Sequence, residues 1–368
     1  MSGHRDFSPS IPDRLTKAVM TAAGFLPGPL LRLVGGTPRR MDGQVLDPHF
    51  QAGLRVISMT SEGEYEDLTV EKARSAVERS AFTVSGKKID LAVVTDIVLP
   101  LGGTDPDRAD LPARLYSPVH GDETLPALVF FHGGGWVLGS VDSHDATCRY
   151  IAETGRLKVI SVDYRLAPEF RFPTAVDDAI AAFRYVRDHA DELGVDPTRI
   201  AVGGDSAGGN LAAVVCQQTR DAGEKMPAFQ LLFVPATNMS ARTRSYEMFG
   251  DGFFLTRANM DFYEETYIRS DEDRLDPRAP PCWRRTSRDC RPPTWPRAGS
   301  TRCATRARRT PGRWPTPVSR SRCAATRRWS TRSSTPSGPP RSRARRCPRR
   351  WARCGWGWRT DPGARVTL

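Results

Sequence analysis

The stretch GGDSAGG, residues 203–209, decides how the rest of the chain is read. Gly204-Asp205-Ser206-Ala207-Gly208 fits the pattern G-x-S-x-G. The apolar run RIAVG stands before it and the small-residue run NLAAVVCQQ follows it. A strand, a sharp turn and a helix would hold a serine hydroxyl exposed above a sheet, with glycine wherever a Cβ would collide. The start of that helix would aim its free amides at a developing oxyanion. On this reading Ser206 is the candidate nucleophile. Taken alone, the pattern also fits a plain glycine-rich turn.

One strand–helix unit upstream, FHGGGW ends the apolar run PALVFF. Three consecutive glycines let the backbone approach a ligand closely and present its amides. Gly133 and Gly134, with the Ala207 amide, are therefore the candidate oxyanion-hole donors. The two motifs together disfavour a merely flexible loop. A third string, VDYRLAPEFRFPTAVDDA from Val162 to Ala179, has no group with an obvious catalytic role. It is expected to end a strand and fix a turn beside the HGGG loop.

In this order the three strings resemble the hormone-sensitive-lipase-like branch of the α/β-hydrolases, over about residues 45–278. The resemblance implies a carboxylesterase that acts on short- to medium-chain acyl esters through an acyl-enzyme. It also implies an N-terminal helical cap, to which DGFFLTRANMDFYEETYI would add a second part. Asp205 would support the turn rather than react. No cofactor and no metal are called for, and the partner is a small acyl ester.

The pattern along the chain agrees. IPDRLTKAVMTAA, DPHFQAGLRVISM and TVEKARSAVERSAF carry apolar residues at helical spacing. Residues 1–90 are therefore expected to form the cap or lid. From VTDIVLPL onward, short apolar runs alternate with helical stretches, which predicts an α/β core over residues 91–278. Its sheet would be mostly parallel, with helices on both faces and the site at the carboxyl ends of the strands. No apolar run reaches the length of a membrane span. LTKAVMTAAGFLPGPLLRLVGG is broken by Gly and Pro, and reads as an amphipathic cap helix rather than a cleaved signal. A cytoplasmic location is the expectation.

Residues 279–368 belong to a different kind of sequence. They hold 24 Arg, no Lys and two acids, Asp289 and Asp361, whereas residues 1–278 hold 30 basic and 40 acidic residues. Six of the eight Cys and seven of the eight Trp lie in this tail, which has one Leu and two Val. So little apolar area does not offset the cost of ordering a chain, so the tail is expected to be disordered or irregular.

The tail also stands where two catalytic groups are due. A serine nucleophile needs a base and a carboxylate that orients it, and in this fold both follow the serine. No histidine follows His189. His132 belongs to the HGGG loop, while His144 and His189 lie upstream, in the wrong place for the base. Arg, Pro, Trp, Cys, Ser, Thr, Gly and Ala are what a GC-rich gene yields when read out of register. Starting each codon one base earlier lets RAGSTRCATRA become GGFDPLRDEGE and CAATRRWSTRSST become RRYPEMVHAFLN. These strings resemble the family's acid and histidine motifs. The lost Asp would straddle Ser300 and Thr301, and the lost His would straddle Ser330 and Thr331. The reading is a net one-base deletion, modulo three, near codons 278–280, which leaves the C-terminal part of the fold incomplete. The competing reading makes the arginines a nucleic-acid or anionic-surface binding module on a dead hydrolase. The absence of lysine, of an amphipathic stripe and of RGG or Ser-Arg repeats speaks against it.

Overall fold

The computed structural model describes residues 8–60, 65–101, 110–121, 123–239, 242–279 and 358–360. Helices come first: α1 Ile11–Ala23, α2 Gly28–Gly35, α3 Pro48–Thr60 and α4 Val70–Val84. Their starts follow from local chemistry. Ser10 and Asp13 form a reciprocal capping box on α1, and the Thr69 hydroxyl accepts from the Lys72 amide at the start of α4. A short hairpin, β1 Arg40–Met41 with β2 Gln44–Leu46, stands between α2 and α3. Helical periodicity gave no sign of it.

The main sheet contains β3 Val93–Leu99, β4 Leu111–Ser117, β5 Leu125–Phe131, β6 Lys158–Val162, β7 Val195–Asp205 and β8 Phe229–Phe233. Their spatial order is β3-β4-β6-β5-β7-β8. The first two pairings are antiparallel and the remaining three parallel. The mostly parallel α/β sheet expected from the sequence is thus present.

Helices cover both faces, as a parallel sheet requires. On one face α5, Asp145–Gly155, packs Cys148, Ile151 and Ala152 against Leu128, Phe130 and Val159. On the other, α6 Thr174–Asp188 and α7 Ala207–Asp221 pack Val176, Phe183 and Leu211 against Val129, Phe131 and Val202. Adjacent Phe130 and Phe131 therefore serve opposite cores, because successive strand side chains alternate. β6 is buried throughout, but every residue of β8 is only half-buried. The sheet tapers toward β8.

Three further helices follow: α8 Arg244–Phe249, α9 Arg257–Tyr267 and α10 Asp271–Leu275. Asn259 of α9 donates to Glu66 beside the N-terminal helices, so the chain after β8 returns to the side of those helices. Of the tail, only Ala279 and β9, Trp358–Thr360, are described, β9 antiparallel to β2. The expectation of a disordered tail otherwise falls on residues outside the described ones. No helix among the described residues is long and apolar enough to cross a membrane.

Candidate active site

β7 ends at Asp205 and α7 starts at Ala207, so Ser206 occupies the turn between them with φ +52° and ψ −114°. That left-handed conformation is unusual for a residue with a Cβ, and its cost of about 1–3 kcal/mol must be met by its surroundings. Its backbone is held on both sides. Ser206 N–H donates to the Phe233 carbonyl at 2.9 Å, and its own carbonyl accepts from Asn210 and Ala236, each at 3.0 Å. The flanking glycines are forced by packing: a Cβ on Gly204 or Gly208 would fall on the Phe131 carbonyl oxygen. The Ser206 hydroxyl is half-exposed and has no hydrogen-bond partner among the described residues.

The HGGG loop leaves β5 beside this turn. Gly134, Gly135 and Trp136 all have positive φ, at +115°, +63° and +61°. Gly133 N–H donates to Asp205 Oδ1 at 3.0 Å. This corrects the expectation for Gly133: its amide is already engaged by a carboxylate and fastens the loop to the serine turn. The amides of Gly134, Gly135 and Ala207 have no acceptor among the described residues.

Asp205 is the knot of this arrangement. Its Oδ1 also lies 3.1 Å from His144 Nε2, whose Nδ1 faces Ser143 Oγ at 2.9 Å. Burial disfavours the Asp205 charge, but His144 and the Gly133 amide outweigh it and hold the carboxyl below its ordinary range. Burial likewise opposes charge on His144, yet Asp205 overcomes it and raises the imidazole above its usual value. His144 is thus committed to Asp205. His132 is fully buried, and burial, followed by repulsion from His144, pulls it down to about 3. It stays neutral. His189 caps the end of α6, stacked on Tyr185 with centroids 4.0 Å apart.

The third string does what its sequence suggested. Tyr164 donates to the His132 carbonyl at 2.8 Å and stacks on the His132 ring at 4.4 Å. Ala167 N–H donates to the Trp136 carbonyl at 2.9 Å, and Arg165 forks onto Asp178. Trp136 in turn stacks on Tyr267 at 4.6 Å. The Tyr263 ring of α9 lies where a Cβ on Gly135 would stand.

Two groups the sequence reading missed also hold the loop. Arg74 of α4 donates from Nε to the Val137 carbonyl and from Nη2 to the Ala167 carbonyl, both at 2.9 Å, while its fork engages Glu169. Glu78, one turn on, accepts from Ser140 Oγ at 2.6 Å. Nothing in a helical run of mixed charge marks such residues, because their partners lie about sixty or more residues away in the sequence. Asn210 Nδ2 completes the frame, donating to Ala236 and Ala279 at 2.7 and 2.8 Å. The described core therefore ends, at buried Ala279, against the helix that carries the serine. The expected positions of the missing acid and base lie outside the described residues. Within them, no group of three or more His, Cys, Asp or Glu is placed to hold a metal.

The chain matches the α/β hydrolase fold family over residues 128–299. It is 42% identical over 267 residues to the carboxylic ester hydrolase LipN of Mycobacterium tuberculosis, spanning 70% of this chain and 69% of that protein. It is 40% identical over 217 residues to the ethyl acetate hydrolase of Pseudomonas putida, spanning 58% and 67% respectively. A solved structure of the hyperthermophilic esterase from the archaeon Pyrobaculum calidifontis superposes with a TM-score of 0.61 at 39% identity. That match covers 65% of this chain and 75% of the esterase.

Proposed function

The chain belongs to the carboxylic ester hydrolases of the α/β-hydrolase fold, in the hormone-sensitive-lipase-like branch. From that premise we propose that its site is built for acyl transfer from short- to medium-chain esters to water, through an acyl-enzyme on Ser206. The chain as written carries that site in a strongly impaired state. The observation that carries the reading is the strained Ser206 turn, whose hydroxyl has no partner among the described residues, beside the amides of Gly134, Gly135 and Ala207, which have no acceptor among them.

The chemistry follows from those groups. Ser206 Oγ adds to the ester carbonyl, the carbonyl oxygen takes the negative charge, and the amides stabilise it by charge-assisted hydrogen bonds. The alcohol leaves, and water then releases the acid from the acyl-serine. Both halves need a group that takes a proton from the attacking oxygen and returns it to the leaving one. His144 is occupied by Asp205 and His132 is buried and neutral, so neither supplies it. Loss of the histidine from such a triad costs on the order of 10⁶ in kcat. We attribute the absence to the one-base deletion near codons 278–280. The relatives' names place them among ester hydrolases, and ethyl acetate, named for one of them, is a short ester. This supports the short-chain end of the range.

Covalent capture tests the assignment. An activated phosphonate ester should label Ser206, and no other serine, in a chain whose reading frame is restored, as read by peptide mass spectrometry. Labelling elsewhere, or undiminished labelling of a Ser206→Ala variant, would remove Ser206 from the mechanism.

A further inference from the structure

Helix α1 is seated inside out. Ile11, Leu15 and Val19, four residues apart and so on one face, are 76%, 63% and 63% exposed. The opposite face, with Asp13, Thr16, Lys17 and Met20, is the half-buried one. It meets α4 through polar contacts: Lys17 Nζ donates to Ser85 Oγ at 2.7 Å and lies 4.4 Å from the Phe82 ring centroid, while Asp13 faces Arg79 at 3.6 Å. The exposure continues along the chain through Phe25 and Leu33, each 82% exposed. Scattered apolar residues on a surface are ordinary, but a helical stripe of them marks a face that meets something apolar.

Charge says what that something is. Residues 1–60 hold seven basic and four acidic side chains, whereas residues 61–278 hold 23 basic and 36 acidic. Helices α1 and α2 lie at the basic end of an acidic body, with Arg14 and Arg32 set among the exposed apolar residues. The arginine-rich tail is a poor occupant of this face, since its charge has the same sign. A helix with one apolar face and a basic polar face lies in the plane of a membrane surface rather than across it. No described helix is long and apolar enough to cross one.

We propose that α1 and α2 seat the protein on an anionic phospholipid bilayer, with Ile11, Leu15, Val19, Phe25 and Leu33 entering the headgroup region. Such seating would present the cap, and the serine site beneath it, to esters dissolved in that surface.

The test is cosedimentation of the full chain with phosphatidylcholine vesicles, with and without phosphatidylglycerol. It is run at moderate salt and again at salt high enough to screen the tail. Leu15→Gln/Val19→Gln/Phe25→Gln puts good helix formers at the two α1 positions and a polar side chain just beyond the helix, and circular dichroism confirms the helix. Val98→Gln, on an exposed position of β3, is the control. The parent should partition several-fold better onto the anionic vesicles. The triple variant should lose about tenfold or more at both salts, and the control should not change. Equal partitioning of parent and triple variant would assign any binding to the tail and overturn the proposal. So would equal binding to both lipid compositions. A parent that is dimeric without lipid, and a variant that is monomeric yet binds vesicles equally, would assign the face to a second copy instead.

Discussion

The Gly133 amide and His144 Nε2 meet at the same atom, Asp205 Oδ1, at 3.0 and 3.1 Å. One carboxylate therefore ties the HGGG loop, the start of α5 and the serine turn together. The Asp205 carboxyl is held below its ordinary 3.8, so its contribution to stability is present above that value and lost as pH falls through the lowered one. The His144 imidazole is held above its ordinary 6.5, so its contribution is full below 6.5 and lost as pH rises through the raised value. Thermal unfolding should show a stability difference between the parent and His144→Gln that is largest between these limits and shrinks on the alkaline side. A difference that does not change with pH would mean that the pair is not charged.

Arg74 is a planar fork on two loop carbonyls, a geometry that lysine does not reproduce. Arg74→Lys is expected to cost about 1–3 kcal/mol in denaturant unfolding, because buried carbonyls lose charged donors. Glu169 is half-exposed in side chain, so Glu169→Gln should cost no more than about 1 kcal/mol. In a frame-restored chain Arg74→Lys should lower kcat more than it raises KM, since Arg74 shapes the loop and not the substrate contact. Equal costs for the two substitutions would show that only the ion pair with Glu169 matters.

Packing at the serine turn predicts an order of damage between neighbouring glycines. A Cβ on Gly208 meets the Phe131 backbone, which has no freedom to move, while one on Gly209 stands 3.0 Å from the Pro235 side chain. Gly209→Ala should cost about 1–3 kcal/mol, and Gly208→Ala should cost more, leaving little soluble protein. The reverse order, read from soluble yield and denaturant midpoint, would contradict the close approach of β5 to α7.

Tyr164→Phe removes only the hydroxyl that donates to the His132 carbonyl. A loss of about 1 kcal/mol in unfolding free energy is expected, with the stacked ring kept. No measurable change would mean that the string beside the HGGG loop holds it through packing alone.

Sequence made the serine turn legible because its demands are local. A strand, a strained residue and a helix start fit in seven positions, and glycine is needed at each close approach. The sheet was legible for a related reason, since buried parallel strands read as short apolar runs, as β5 and β6 do. The assignment of Gly133 failed because a row of glycines shows where backbone is bare, not which amide points where. Only the Asp205 carboxylate, 72 residues on, reveals that this amide is used. Arg74 and Glu78 were illegible for the same reason of distance. The outward face of α1 was hidden in a different way: periodicity detects an apolar stripe but not which side of it meets the neighbouring helix.

The measurement that tests the account most directly is hydrolysis of a short-chain nitrophenyl ester by three proteins: the chain as written, the frame-restored chain and its Ser206→Ala variant. The account predicts turnover by the restored chain, its loss on removing the Ser206 hydroxyl, and a rate for the chain as written that is lower by several orders of magnitude, on the order of 10⁴–10⁶-fold. Equal turnover by the written and restored chains would contradict it, because a complete proton relay would then have to exist within the residues that both share.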